Sequence, residues 1–313
     1  MDAPTFKQLR YFLALVETRH FGRAAERCHV TQPALSMQVR DLEALLGVPL
    51  VERTSSGVFL TVEGEEVARR AHDILLAVRD LAELARRRGR VLTGRFKVGV
   101  IPSIGPYLLP QLLPRLHAAY PDLELSLRES QTAHLVEDLA AGRLDLLILA
   151  LPIERDDVET VALFDDNFTL AVHPDHPLAG RAIVQQKELL AERLLLLEEG
   201  HCLRDQALAL CQSVTGEDVD DFRASSLATV VQMVINGYGC TVLPEIALAV
   251  EVGGRNDIRI VPFASPVPAR SVGLAWRASS PRKTDFAAFG RFVSDLVTGQ
   301  KALPAEAAAV AGA

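Results

Sequence analysis

No apolar run in these 313 residues reaches the roughly 18 needed to cross a bilayer. The opening MDAPTFKQLRYF carries no charged leader, apolar stretch or small-residue cleavage site, so a cytoplasmic protein is expected, with no membrane partner. Cysteine is scarce. Four residues in a reducing compartment argue against structural disulfides and leave buried thiols, a metal site or redox chemistry. Neither CxxC nor HExxH spacing occurs. His201, Cys202 and Cys211 offer soft ligands, and HPDHP adds His173 and His176, but no fourth ligand is evident. No metal and no cofactor are expected, and HPDHP reads as a proline-bounded turn. Periodicity gives no convincing internal repeat.

Bulk positive charge is also missing: the net charge is −7. It is unevenly spread, with 14 basic against 12 acidic residues in 1–90 and 19 against 28 beyond. Any contact with nucleic acid must therefore come from placed basic groups in the front third. At 49% hydrophobic and 23% charged, the chain can bury sizeable cores, and its length suits about two domains.

Phe6, Leu9, Phe12, Leu13 and Val16 fall at helical spacing. GRAAERC predicts a short second helix. HVTQPALSMQVRDLEALLG predicts a third, with Thr31 or Gln32 as cap, Pro33 in the first turn and Gly47 as stop. Two short helices around a turn at His29–Val30 form a helix-turn-helix pattern over 21–40. VPLVERTSSGVFLT reads as strand, turn, strand. In such a motif the second helix offers its amino end to the major groove. Here Thr31, Gln32, Ser36, Gln38 and Arg40 would face bases or phosphate, with Leu35, Val39 and Leu42 turned to the core. Arg53, Ser55 and Ser56 are candidates for backbone or minor-groove contact.

Thr61 can cap a further helix in which Val67, Ala71, Ile74, Val78, Leu81 and Ala85 alternate four and three apart, the seam of a short coiled coil. Arg86, Arg87, Arg88 and Arg90 close it, and Leu92–Gly94 breaks the pattern. Beyond, RFKVGVI, LELSLRE, LDLLILAL, FTLAVH, RLLLLEE, TVLP, IRIVPF and SVGLAW read as strands. Helices are predicted around 106–119, 132–141, 202–214, 227–236 and 284–297. The alternation predicts an α/β fold with largely parallel sheets and two subdomains around a crevice. KALPAEAAAVAGA at 301–313 with Gln300 before it is a low-complexity tail.

GHCLRDQALALC at 200–211 sets two cysteines nine positions apart in a helical pattern. Nine helical residues rise about 13.5 Å and turn about 900°, whereas a disulfide needs Cα atoms within about 7 Å. Either the thiols never meet or their meeting destroys the helix.

HFGRAAERCHVTQPALSMQVRDLEALLGVPLVERT, followed by TVEGE, resembles the N-terminal domain of LysR-type transcriptional regulators, and the resemblance covers about 1–298. It implies a winged helix-turn-helix over 1–61, a dimerising linker helix over 62–91, and a periplasmic-binding-protein-like regulatory domain over 92–300. The subdomains of that domain would be about 92–165 plus 269–300, and 166–268. LLLLEEGHCLRDQALALC, IPSIGPYLLP, QTAHL and FRASSL resemble the peroxide-sensing OxyR subgroup. That resemblance implies a peroxidatic Cys202, a resolving Cys211, and a peroxide pocket of Ser103, Thr132, His201 and Arg270. The subgroup commonly has threonine where Ser103 stands, so the hydroxyl is kept and a methyl lost.

The residues themselves agree with these roles. Peroxide attack requires a thiolate. Cys202 stands at a predicted helix start beside His201 and Arg204, features that can lower a thiol pKa, and Arg204 is counted with the pocket residues; Cys211, among Leu208, Leu210 and Val214, is expected buried. Cys28 and Cys240 read as packing residues. The implied protein controls oxidative-stress genes from promoter DNA, assembles as a homodimer or tetramer, and meets RNA polymerase and a cellular disulfide reductant. It is not expected to be an enzyme. A metabolite-responsive LysR regulator and a thiol peroxidase are the alternatives.

Overall fold

The computed structural model describes residues 3–54, 57–87, 90–210 and 223–299. The chain divides into two compact units, Met1–Arg88 and Gly89–Ala313. Among the described residues, no helix is long and apolar enough to cross a membrane.

In the first unit, α1 (Phe6–Thr18) is started by a capping box between Thr5 and Gln8. This satisfies amide groups that the first helical turn leaves unpaired. In α2 (Phe21–Arg27) the cap is the His20 ring, which accepts from Gly22 and Arg23 N–H. The turn into α3 (Gln32–Leu46) passes through His29 at φ 56°, and Thr31 caps α3 by accepting from the Ala34 amide. Left-handed Gly47 ends it, as a helix stop requires. The antiparallel pair β1 (Val51–Thr54) and β2 (Gly57–Leu60) forms the wing; its turn residues Ser55 and Ser56 lie outside the described residues.

Thr61 Oγ1 accepts from the Gly64 amide at 2.9 Å to begin α4 (Val62–Arg87). Gly64 is required here, since a Cβ would stand 2.0 Å from the Leu50 carbonyl. The predicted seam is only partly open. Ala71 is buried with Leu9, Phe12, Leu42 and Leu50, and Val67 packs on the same cluster. Ile74, Val78, Leu81 and Ala85 are exposed. The front of the seam thus serves the unit's own core, because α4 first has to bury a face against α1.

The second unit is built on a seven-stranded sheet, not a largely parallel one. In it β3 (Gly94–Val100) pairs in parallel with β4 (Leu123–Glu129) and β5 (Leu146–Leu151). Antiparallel pairs then join β11 (Ala269–Arg277) to β5 and to β6 (Val158–Val172). The far half of β6 pairs with β9 (Thr241–Pro244) and β10 (Arg259–Pro262), again antiparallel. The alternating pattern misled on this point because β6 and β11 are long strands that the chain uses to leave one half and return to it.

Two cores result. The first lies under α5 (Gly105–Ala119), α6 (Thr132–Ala140) and α10 (Lys283–Val297), with Phe96, Leu112, Ile148, Phe286 and Phe289 at its centre. The second gathers Phe168, Leu170, Val230, Val234 and Leu243 beneath α8 (Leu227–Ile235). Here α7 (Cys202–Leu210) and the short α9 (Leu248–Glu251) complete the layer. A two-residue parallel ladder, β7 (Leu196–Leu197) with β8 (Arg223–Ala224), lies beside α7.

Candidate functional site

Cys202 is the first residue of α7 and a free thiol. Its helix belongs to the second core through Leu203 and Ala207, yet its side chain packs against the first. A small cavity there is lined by Ile101, Pro102, Ser103, Gln131, Thr132, Gly200, His201, Cys202 and Leu203. Its volume is about 10 Å³, at the lower limit of what a single water molecule needs. Thr132 opens α6 and Ser103 stands two residues before α5. The amino ends of α6 and α7 therefore meet the cavity, and each favours negative charge.

Ser103, Thr132, His201 and Cys202 are brought together as the sequence predicts. Arg270 reaches the same place from β11: its Nη1 donates to Ser103 Oγ at 2.7 Å and its Nη2 to Ser103 O at 2.9 Å. Buried His201 has its Nε2 3.7 Å from Glu198 Oε1. The predicted influence of Arg204 on the thiol is not seen. Its Nη1 donates to the Leu197 carbonyl at 3.1 Å, and the cation acting on Cys202 is Arg270.

Burial pushes the Cys202 thiol pKa up; the Arg270 charge, the Thr132 and Ser103 hydroxyls and the Leu203 amide pull it down, and burial prevails. The expected lowering by position is thus outweighed by desolvation, which disfavours the charged form. Thr132 Oγ1 affects the sulfur, yet it is buried without a hydrogen-bond partner among the described residues. It is a donor in place for a thiolate or a small oxygen ligand.

Sequence reasoning missed three participants. Asp166 takes both Nε (3.0 Å) and Nη2 (2.8 Å) of Arg270 on one carboxylate oxygen. Gln131 Nε2 donates to Glu199 O at 3.3 Å and closes the cavity from the α6 side. Gly200, at φ 90°, leaves room for that carboxamide, because a Cβ would lie 2.6 Å from Gln131 Oε1. The glycine in GHC and the glutamine that opens QTAHL were readable signals; Asp166 gave none. Cys211 lies outside the described residues.

In the first unit, Leu35, Val39 and Leu42 are buried as predicted, while Gln32 and Arg40 are exposed on α3 and Gln38 is half-buried. Gln38 Nε2 donates to Asp41 Oδ2 at 3.3 Å, and Arg40 Nε to Ser36 O at 3.3 Å. Thr31 is engaged as the cap. Ser36 is a correction: it is buried and its Oγ accepts from Arg53 Nη2 at 3.0 Å. The Arg53 guanidinium also stacks 4.1 Å from the centre of the Phe21 ring. These two residues first fasten the wing to the motif. Met37, exposed one turn from Pro33, was overlooked; it gives the outer face an apolar group suited to a thymine methyl. Cys28, at the end of α2, has its thiol pKa raised chiefly by burial. Cys240 is fully buried.

Among the described residues no group of three or more His, Cys, Asp or Glu side chains is placed to hold a metal ion. Residues 6–65 match the bacterial regulatory helix-turn-helix of the lysR family, and 89–297 match the LysR substrate binding domain. The chain is 44% identical over 280 residues to the DNA-binding transcriptional dual regulator OxyR of Escherichia coli K12, covering 90% of this chain and 92% of that one. It is 40% identical over 291 residues to the hydrogen peroxide-inducible genes activator of Haemophilus influenzae, covering 93% and 96%. Among solved structures, a full-length cysteine variant of Pseudomonas aeruginosa OxyR matches at TM-score 0.73 and 41% identity, covering 93% of this chain and 98% of that one. A cysteine-to-serine variant of Corynebacterium glutamicum OxyR with hydrogen peroxide bound matches at TM-score 0.65 and 36% identity, covering 100% and 99%. On both parts of its length, the chain belongs to the LysR family of transcriptional regulators, in its OxyR group.

Proposed function

We propose that the protein is a peroxide-responsive regulator of promoter DNA whose signal is a thiol–disulfide exchange between Cys202 and Cys211. One observation carries the reading. Cys202 opens a helix at a cavity of single-molecule size, ringed by two hydroxyls, one of them unpartnered, with Arg270 bonded to the other. In the first step the Cys202 thiolate attacks one oxygen of hydrogen peroxide. The S–O bond forms and the O–O bond breaks, and the departing oxygen leaves with the electron pair and takes a proton to become water. Arg270, Ser103 and Thr132 are placed to offset that oxygen's charge. In the second step the Cys211 thiolate attacks the sulfenic sulfur, S–S forms, S–O breaks, and a second water leaves. Two thiols are oxidised and one peroxide is reduced.

The second step cannot occur on an intact α7. From Cys202 to Leu210 the helix rises about 12 Å, so it has to unwind or shift for the sulfurs to approach within disulfide range. What resists is modest: the β7–β8 ladder of two residue pairs and the burial of Leu203 and Ala207. Moving Cys202 also withdraws it from the core of the other half. Melting of this segment would then remodel the regulatory dimer and alter the spacing of the DNA-reading heads.

The head reads DNA through the outer face of α3, with Gln32, Gln38 and Arg40, and through the wing with Arg53, Ser55 and Ser56. Residues 62–91 serve as dimerising linker through the exposed part of the seam, Ile74, Val78, Leu81 and Ala85. Regulatory units pair the dimers into a tetramer, which works in the cytoplasm, engages RNA polymerase and is reset by a cellular disulfide reductant.

The test is peptide mapping of peroxide-treated protein together with promoter footprinting. A Cys202–Cys211 crosslinked peptide and a footprint that changes on oxidation are expected. Absence of the crosslink removes the switch, and an unchanged footprint removes its link to DNA.

A further inference from the structure

Arg270 and Asp166 face each other directly across the β11–β6 pair, at the place where both strands pass between the two cores. Each is 3% exposed. A buried ion pair of this kind is on average no more stabilising than apolar side chains of equal volume, so stability alone is a poor reason for it. The hydrogen bonds around it run in one direction. Asp166 Oδ1 accepts the Ile246 amide at 3.0 Å, and its Oδ2 accepts both Nε and Nη2 of Arg270. The guanidinium can only donate, and its Nη1 gives its proton to Ser103 Oγ at 2.7 Å. Ser103, with that lone pair occupied, has its own proton to give, and it lines the Cys202 cavity.

We propose that Asp166 is a positioning residue for the oxidation of Cys202, an inference that rests on the peroxide reading above. It touches neither sulfur nor peroxide. A guanidinium is a rigid plane, so holding the Nε–Nη2 edge on one carboxylate oxygen fixes where Nη1 points. That in turn turns the Ser103 hydroxyl toward the cavity. When the thiolate attacks one peroxide oxygen and the other leaves with the electron pair, the cation and hydroxyl are already aimed. Because Asp166 also holds the Ile246 amide, beside β9, the aim depends on how the two halves of the unit sit. A regulatory unit that has already rearranged is a poorer reactant.

Asp166→Asn keeps the shape and breaks the arrangement. An amide has one acceptor and one donor group, so either Ile246 N–H or the guanidinium then faces N–H. Asp166→Glu keeps the charge and moves the oxygens by one methylene. The experiment measures, on the reduced full-length chain, second-order rate constants of Cys202 with hydrogen peroxide and with iodoacetamide at three pH values. Both reagents consume the thiolate, so their ratio at a given pH cancels the thiolate fraction. The expected result is a peroxide-to-iodoacetamide ratio at least tenfold below wild type in Asp166→Asn at every pH, and a smaller fall in Asp166→Glu. A ratio within twofold of wild type in Asp166→Asn overturns the proposal, and so does failure of both variants to fold, which would assign Asp166 to stability. If wild-type Cys202 is alkylated but not oxidised by peroxide, the peroxide reading itself fails and the proposal goes with it. An oxidised wild type with an undiminished ratio in the variant removes only the role of Asp166.

Discussion

Cys202 and Cys240 sit in the same unit and are held in opposite senses. The Cys240 thiol is fully buried and donates to the Arg193 carbonyl at 3.6 Å, an arrangement that needs the proton to stay on sulfur. Cys202 is less deeply buried and is surrounded by groups that donate: the Ser103 and Thr132 hydroxyls, the Leu203 amide and the Arg270 charge. At Cys202 burial acts against ionisation. The polarity of the neighbours matters here, since around Cys202 a thiolate, or an oxygen leaving with negative charge, would find donors.

The comparison breaks most simply by exchanging sulfur for oxygen. Cys202→Ser is expected to abolish the peroxide-dependent change in promoter transcription, and Cys240→Ser to retain it; equal loss from both would erase the distinction. Next in size is Ser103→Ala. It removes the acceptor of Arg270 Nη1, so stopped-flow oxidation of Cys202 should slow by about tenfold to a hundredfold. Chemical denaturation should show a loss of about 1–3 kcal/mol from the unsatisfied buried donor.

The glycines ahead of the two thiols sharpen the contrast further. Gly239→Ala would put a Cβ 2.5 Å from the Arg193 backbone carbonyl, while Gly200→Ala would meet the mobile end of Gln131 at 2.6 Å, from a φ of 90°. Alanine at 200 should cost about 1–3 kcal/mol of backbone strain. Alanine at 239 should lower the melting temperature more, because the Arg193 carbonyl accepts the Cys240 amide at 3.0 Å within the Leu194–Cys240 bridge and has less room to give way.

The smallest effect is with pH. Burial holds the folded Cys202 pKa above the ordinary thiol value, so oxidation should accelerate as pH rises through the alkaline range. The folded state then binds the proton more tightly than the unfolded one. The associated stability is present below the unfolded thiol pKa and is lost as pH rises toward the folded value. Cys202→Ala should flatten that alkaline fall in denaturant titrations.

What the sequence disclosed was whatever lies close along the chain. The three head helices, their caps at Thr31 and Thr61, and the left-handed stop at Gly47 are local decisions and read correctly. Ser103, Thr132 and His201 were legible through family motifs. Arg204 was misjudged because nearness in sequence stood in for nearness in space. On α7 its guanidinium turns back to the Leu197 carbonyl, while the effective cation comes from position 270. Asp166 was invisible for the same reason: its meaning comes from the β6–β11 register. Ser36 looked like a base-reading hydroxyl because helical periodicity cannot reveal a wing arginine folding over it. The front of the coiled-coil seam was claimed by α1, a competition between intrachain and interchain burial that the heptad pattern does not show.

The fifteen-residue strand β6 is pinned along one stretch to β11 and along the next to β9 and β10. Separating the halves as rigid bodies would strain or break that shared ladder, so the joint between them behaves as a beam and not as a hinge pin. Slack exists elsewhere, in the segment after β7 whose backing is two rungs. A chemical event on that segment can do its mechanical work cheaply, and the stiff beam then carries the resulting displacement across the unit without absorbing it.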